Sequence, residues 1–268
     1  MIDLHAHILP GLDDGPGSLE EAVAMARSAV QDGIEVMVAT PHFIPGVYNN
    51  NRENVLAGVE ALQAALAGTN IPLALKAGLE AYLDPGLVLL ARRGELLTIN
   101  DGGRYLLVEL PQATVPDYAG EVFFRLQLTG ITPVIAHPER NRQIIKEPGI
   151  LHDFLLKGVL VQLTAAGLNG SFGSTAKKAA ELFLKLGWVH FLSSDAHDSI
   201  ESNSGLKAAF HAAARLIGEE GARRLVSDNP RKVLQGELIE TGDYEEFKPP
   251  ARKFLNLFAG NIYRKKRS

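Results

Sequence analysis

Histidine and carboxylate recur along this chain at short spacings, and imidazole with carboxylate is a donor set for divalent metal ions. The run Asp3-Leu4-His5-Ala6-His7 carries two histidines one residue apart at the end of a short apolar stretch. In an extended backbone residues i and i+2 project from the same face, so both imidazoles can reach one ion. An isolated His-x-His is more often a pair of solvated side chains. Here the same residue types return at the ends of later apolar runs. They are Asp13-Asp14-Gly15, His42 after Thr40-Pro41, Glu80, Glu109 within Tyr-Leu-Leu-Val-Glu-Leu, His137-Pro138-Glu139-Arg140 and Ser194-Asp195-Ala196-His197. A carboxylate inside an apolar run, as at Glu109, needs a partner or a metal. The set exceeds one coordination shell and suits two or three ions with shared carboxylates. Such ions would leave a surplus of positive charge, which a phosphate dianion would seek.

Composition removes the competing chemistries. The chain has no cysteine, which excludes disulfides, thiolate zinc sites and a cysteinyl-phosphate route to ester cleavage. At 268 residues and 46% hydrophobic it is long enough for one large α/β domain. No apolar run is long enough to span a bilayer, and the polar start lacks the features of a signal peptide. A cytoplasmic location is the expectation. All 31 Asp and Glu fall in residues 1–247, while seven of the 27 Lys and Arg crowd into 248–268. The acidic body argues against a nucleic-acid surface. The basic tail, with Phe254, Leu255, Leu257 and Phe258 among its cations, has the composition of a peripheral contact with an anionic membrane. Docking of the same apolar residues onto the body is the alternative.

The candidate residues can meet only if intervening elements gather the strand ends. Seven short runs rich in Val, Ile and Leu read as strands, over 2–5, 34–40, 72–79, 105–110, 133–136, 159–163 and 189–193. Between them lie helical patterns: one opened by Ser18 with Glu20 and Glu21 and stopped at Gly33, then 53–67, 85–93, 118–128, 141–146, 150–157 and 175–186. Further helices are expected over 205–217 and 219–226, with a last turn opening at Asn229-Pro230. Residues 41–51 are too polar and punctuated for either element. Regular alternation implies a parallel sheet, and seven such units suit a barrel, whose strand ends converge on one face. No dinucleotide or Walker-type glycine loop is present.

In combination, His5-Ala6-His7, Thr40-Pro41-His42, Glu80, Glu109, His137-Pro138-Glu139-Arg140 and Asp195-Ala196-His197 resemble the polymerase-and-histidinol-phosphatase (PHP) superfamily. The opening Met-Ile-Asp-Leu-His-Ala-His with Asp13-Asp14-Gly15-Pro16 is similar to its bacterial CpsB/YwqE-type tyrosine-phosphatase branch. The resemblance spans about residues 1–240. It implies an α/β fold, a distorted seven-stranded (β/α)7 barrel of the PHP type over 1–247, followed by the basic tail 248–268. It implies two or three divalent ions, manganese first, with Fe, Zn or Mg as alternatives. Their ligands would be His5, His7, Asp14, His42, Glu80, Glu109, His137, Asp195 and His197, with Glu80 and Glu109 as bridges. Arg140 would hold a phosphate oxygen, acting with Asp195 and His197 in catalysis; a surface ion pair with Glu139 is its bland alternative. Phe43 and Tyr48 would flank a substrate phenyl ring, or simply pack their loop.

The partner implied is a tyrosine-phosphorylated protein, a bacterial tyrosine kinase controlling exopolysaccharide or capsule synthesis. An oligomer is compatible with the sequence. One departure stands out: the branch often carries an Arg-Pro-Pro-like segment after the Asp-x-His motif, where this chain has Asp198-Ser199-Ile200-Glu201-Ser202-Asn203. The competing functions are a PHP phosphatase of a small metabolite such as histidinol phosphate, and a metal-holding regulatory scaffold without turnover.

Overall fold

A computed structural model describes residues 1–199, 205–242 and 244–247 of the chain. The expectations placed on the tail 248–268, and on residues 200–203 of the departing segment, lie outside the described residues. Strands and helices alternate along most of the rest. β1 (Ile2–Ala6) leads to α1 (Leu19–Gln31), where the Ser18 side chain accepts from the Glu21 N–H and Glu20 and Glu21 face the positive helix end. β2 (Val36–Ala39), β3 (His42–Ile44) and β4 (Tyr48–Asn49) precede α2 (Arg52–Gly68), which Asn51 and Asn54 cap reciprocally. β5 (Ala74–Ala77), β6 (Glu80–Tyr82), α3 (Leu87–Arg93), β7 (Tyr105–Glu109) and α4 (Ala119–Leu128) follow. Then come β8 (Thr132–Ala136), α5 (Arg142–Lys146), α6 (Gly149–Leu155), β9 (Leu160–Thr164), α7 (Ala165–Asn169) and α8 (Gly173–Lys185). β10 (Phe191–Ser193), α9 (Leu206–Arg223) and α10 (Asn229–Leu234) complete the described elements.

The fold is mixed α/β, and every ladder is parallel except the β3–β4 hairpin. A single closed seven-stranded ladder is not what these pairings form. They divide into a sheet ordered β1-β2-β5 and a sheet ordered β10-β9-β8-β7-β6-β3-β4. The division has a local cause. The runs 36–44 and 74–82 are each interrupted midway, at Thr40-Pro41 and at Gly78-Leu79, and each passes from one ladder to the other. Proline has no N–H to donate to a ladder. Gly78 permits the close approach: a Cβ there would lie 3.0 Å from Val38 Cγ1 and 3.2 Å from Thr40 Cγ2. The two runs nevertheless stay side by side, because Gly78 N–H donates to Ala39 O at 2.9 Å and Glu80 N–H to Pro41 O at 3.2 Å.

β1 and β10 meet differently. Asp195 N–H donates to His5 O at 2.9 Å and His7 N–H to Ala196 O at 2.8 Å, with one isolated bridge at Ala6–Ala196. Below that point side chains take over from backbone. Leu4 N–H donates to Ser193 Oγ at 3.3 Å, and Ser194 N–H to the buried Asp3 Oδ1 at 3.0 Å.

Two apolar clusters occupy the two faces of the strands. Leu106, Val108, Ile135, Val161 and Leu192 pack beneath the helices, while Val38, Leu107, Val134, Leu160 and Phe191 form the second cluster with Val233 and Ile239. Each such side chain, fully buried, contributes about 1.5–3 kcal/mol. The alternation that buries this second set continues upward into polar residues. Tyr105 and Leu107 are followed on the same face by Glu109, Val38 by Thr40 and His42, and Leu160 by Gln162. The apolar frame therefore carries a layer of histidine and carboxylate at the C-terminal ends of its strands.

Candidate metal centre

Six strands supply that layer. β1 carries His5, with His7 just beyond it; the following loop supplies Asp13 and Asp14; β3 and β6 begin at His42 and Glu80, which are register partners. β7 ends in Glu109. Beyond β8 and β10 stand His137 and Asp195, non-glycine residues at φ +32° and +56°, in the left-handed region that side chains adopt at a cost of about 1–3 kcal/mol. The strain is local to the two points where the chain turns its ligand-type side chains inward.

The donor atoms lie close enough together to share ions. Glu80 Oε1 lies 2.9 Å from His137 Nε2, and Glu80 Oε2 lies 2.9 Å from His42 Nδ1 and 3.4 Å from both His5 Nε2 and His7 Nε2. Asp195 Oδ1 stands 3.2 Å from His5 Nε2 and 3.6 Å from His7 Nε2; Asp14 Oδ1 stands 3.4 Å from His197 Nε2 and 3.6 Å from His42 Nε2. Glu109 reaches within 3.9 Å of His42 and of His137. Ligand atoms around one ion at about 2.0–2.2 Å are separated by such spacings. Four overlapping groups result: His7, Asp14, His42 and His197; His5, His7 and Glu80; His5, His137 and Asp195; and His42, Glu80 and Glu109.

The fit to a metal is tested by two orphaned atoms. His42 Nδ1 and Glu80 Oε2 are buried and 2.9 Å apart, yet neither has a hydrogen-bond partner, because their orientation is wrong for one. A buried ring nitrogen and a buried carboxylate oxygen held 2.9 Å apart outside hydrogen-bond geometry are a donor pair suited to a cation. Behind the cluster, other groups fix the imidazole tautomers. His5 Nδ1–H donates to Gln162 Oε1 at 3.0 Å, His7 Nδ1–H to Asp13 Oδ2 at 2.6 Å, and His197 Nδ1–H to Asp195 O at 3.0 Å. Since carboxylate and carbonyl oxygens only accept, these three rings keep Nδ1 as the donor and turn Nε2 toward the centre, the nitrogen that would face an ion. Asp13 is itself pinned by the N–H groups of His42 and Gly15, at 2.9 and 3.0 Å.

Electrostatics follow from this crowding. Burial works against charge on His5, but Glu80 and Asp195 outweigh it and raise its pKa. Against the same burial, Asp13, Asp195 and Glu80 hold His7 well above the ordinary value, and Glu80 pushes His137 up to about 9. In return Glu80 is held well below the carboxylate range by His5, His137 and His42 despite its burial, and Asp195 is lowered by His5 and His7. Glu109 moves the other way, raised by burial and by the charge of Glu80. Without ions, protons neutralise the cluster.

All nine ligand candidates read from the sequence are thus brought together. Arg140, in the single turn Pro138–Arg140, donates from Nη1 to Asp195 Oδ2 at 3.2 Å. It does not pair with Glu139, which is buried and accepts from Thr164 N–H and Oγ at 2.8 and 3.0 Å. Tyr48 stacks on His42 with ring centroids 5.8 Å apart and 13° between planes. Phe43, one residue along the strand from His42, packs against the main apolar cluster instead. Asp13 and Gln162, which bond ring nitrogens of His7 and His5, were not assigned a site role from the sequence. The Asp13-Asp14 pair was a visible signal; a neutral amide at Gln162 was not.

The chain is similar to several known proteins. Residues 1–235 match the profile of the family described as "Capsular polysaccharide synthesis, CpsB/CapC". The chain is 36% identical over 239 residues to the tyrosine-protein phosphatase YwqE of Bacillus subtilis, covering 89% of this chain and 93% of that protein. It is 34% identical over 252 residues to the putative tyrosine-protein phosphatase CapC of Staphylococcus aureus, covering 92% and 98%. Among solved structures it resembles one described with the crystal structures of YwqE from B. subtilis and CpsB from Streptococcus pneumoniae, unique metal-dependent tyrosine phosphatases. The TM-score is 0.86 at 34% identity, covering 93% of this chain and 100% of the other. A lactonase from Listeria monocytogenes shares the fold alone, with a TM-score of 0.53 at 14% identity over 85% of this chain and 92% of the other.

Proposed function

The chain belongs to the CpsB/CapC capsular polysaccharide synthesis family, and from that premise we propose that it is a metal-dependent phosphatase of protein phosphotyrosine. The observation that carries the reading is the convergence of nine imidazole and carboxylate groups, among them the orphaned pair His42 Nδ1 and Glu80 Oε2. We assign His5, His7, Asp14, His42, Glu80, Glu109, His137, Asp195 and His197 as ligands of two or three divalent ions, manganese first, with Fe, Zn and Mg suited to the same donors. The groups overlap at His5, His7, His42 and Glu80, so they describe fewer ions than groups. Glu80, with each oxygen facing a different set of imidazoles, would be shared between ions, and Glu109 would be the second shared carboxylate.

These residues would hold ions whose chemistry there would be to lower the pKa of water toward neutrality and to offset the charge of a phosphate dianion. The chain's own groups do the rest. Arg140 releases Asp195 and donates its planar fork to phosphate oxygens, meeting the charge that grows in the transition state. Asp195 stands between Arg140 and the imidazoles of His5 and His7 and so keeps the fork beside the donor cluster. Tyr48, stacked on His42, flanks the phenyl ring. A phenolate leaving group has a pKa of about 10 and departs with less protonation than an alkoxide would need.

The finer fold assignment that goes with this reading is a distorted (β/α)7 barrel over residues 1–247, closed between β1 and β10. The Ala6–Ala196 bridge and the two backbone hydrogen bonds beside it support that closure. The substrate we assign is a bacterial tyrosine kinase of capsule or exopolysaccharide synthesis, met in the cytoplasm, in keeping with the family's description. No helix among the described residues is long and apolar enough to cross a membrane.

The test is turnover of a phosphotyrosine peptide and of histidinol phosphate by protein stripped with EDTA and reloaded with manganese. Activity is expected on the peptide, only after reloading, and Asp195→Asn, His7→Ala and Glu109→Gln should each lose metal or cut turnover steeply. Full activity in metal-free protein would overturn the metal assignment. A preference for histidinol phosphate would overturn the substrate, and fully loaded protein without turnover would leave a scaffold.

A further inference from the structure

Arg140 has an aromatic neighbour that the reaction as described does not use. Its guanidinium carbon sits 4.6 Å from the centroid of the Phe172 ring. Phe172 is 43% exposed, a poor place for a phenyl ring unless something is gained by holding it there. Its backbone explains how it is held. After α7 the chain turns through Gly170 at φ +99° and Gly173 at φ +88°, closed by Gly173 N–H donating to Gly170 O at 2.9 Å. Both angles lie where glycine is at ease and other residues are strained. The turn directs the ring outward, next to Arg140 rather than into the core.

We propose that Phe172 is a positioning residue that fixes the plane of the Arg140 guanidinium; this rests on the reading of Arg140 as the phosphate-binding residue. The physical reason lies in which part of the guanidinium each partner occupies. A carboxylate holds Arg through its N–H donors and so competes with phosphate for them. An aromatic ring holds the cation by its face and leaves all five N–H donors, which lie in the guanidinium plane, free. Held over the face of Phe172, the fork can exchange Asp195 Oδ2 for a phosphate oxygen by a short shift, without losing its support. The ring orders the side chain before substrate arrives and remains its partner in the transition state.

The experiment is a double-mutant cycle on the manganese-loaded full chain, with kcat and KM measured on a phosphotyrosine peptide. Phe172→Leu, which keeps an apolar side chain but no π face, is expected to lower kcat/KM about tenfold. Metal content and melting temperature should not move. Phe172→Tyr restores the face and should return most of the loss. In an Arg140→Ala background, Phe172→Leu should cost less than about twofold, because the group it positions is gone. Wild-type kinetics in Phe172→Leu would overturn the inference. So would an equal loss in both backgrounds, which would mean that Phe172 binds the substrate itself. Failure of the underlying reading is visible separately: Arg140→Ala would then be fully active whatever stands at 172.

Discussion

Asp13 and Gln162 never need to touch an ion to matter. Each holds one ring nitrogen of His7 or His5 so that the other points at the centre. Asp13→Ala should therefore weaken divalent-metal binding by about 10–100-fold while the nine ligands stay in place, which a metal titration followed by calorimetry would show. The protonation pattern gives a second expectation. His5, His7 and His137 have raised pKa values in the metal-free chain, and His137 reaches about 9. An ion must displace those protons, so metal affinity should climb as pH rises toward 9, with protons released on binding at neutral pH. Calorimetry in buffers of different ionisation enthalpy would count them; binding without proton release would contradict this. Arg140→Lys keeps the charge but loses the planar fork, and should cut kcat/KM more than about tenfold with metal content unchanged. The ligand types were legible because histidine and carboxylate are conspicuous at the end of an apolar run. Which of Asp13 and Asp14 faces His7 was not, since adjacent residues differ only in how the loop turns.

At the level of elements, the turn that carries Arg140 is tied to its neighbour by a buried contact. Glu139 accepts from Thr164 at the start of α7, and Gly167 on that helix leaves room for it: a Cβ at 167 would lie 2.5 Å from Glu139 Oε1. Gly167→Ala should destabilise the protein by about 1–3 kcal/mol and lower kcat/KM through the displaced turn, seen as a lower melting temperature and slower turnover. Neither consequence could be read from the local sequence, because the clash is between residues from different turns. The same limit explains the differences in element assignment. Residues 41–51 looked like a loop, yet β3 and β4 form there, because β6 offers His42 and Phe43 a ladder at Glu80 and Ala81. α7 has five residues, too few for a periodic signal. Strands such as β7 and β9, buried and rich in branched residues, were placed within a residue or two.

On the scale of the whole molecule, the alternation of strand and helix made the parallel sheet legible, but not its division at Pro41 and Gly78, which depends on how two distant runs pack. A second long-range tie anchors the C-terminal segment of the described chain. Buried His190 accepts from Val161 N–H through Nδ1 at 3.1 Å and so presents Nε2–H to Tyr244 Oη at 2.9 Å, while Trp188 Nε1–H donates to Glu245 O at 2.9 Å. Burial pushes the His190 pKa down to about 4. On acidification the unfolded chain, with a pKa near ~6.5, takes up its proton first. The contribution of neutral His190 is therefore complete above about pH 6.5 and is lost by about pH 4, amounting to roughly 3 kcal/mol. His190→Asn, which keeps an acceptor for Val161, should show a smaller drop in urea midpoint between pH 7 and pH 4.5 than the parent chain; an equal drop would assign the acid sensitivity elsewhere. The contact between β1 and β10 has a consequence in time rather than in energy. Asp3 and Ser194, which join those strands, are separated by 191 residues of chain. At about 5–20 residues per second, synthesis leaves β1 without that neighbour for roughly 10–40 s. Until then His5 and His7 have no Asp195 or His197 to face, and the nascent chain lacks part of the proposed ligand set. On the proposed ligand assignment ion capture would be a late event in the making of this protein, and a ribosome-bound chain stopped before Asp195 should retain manganese poorly where the released chain retains it well.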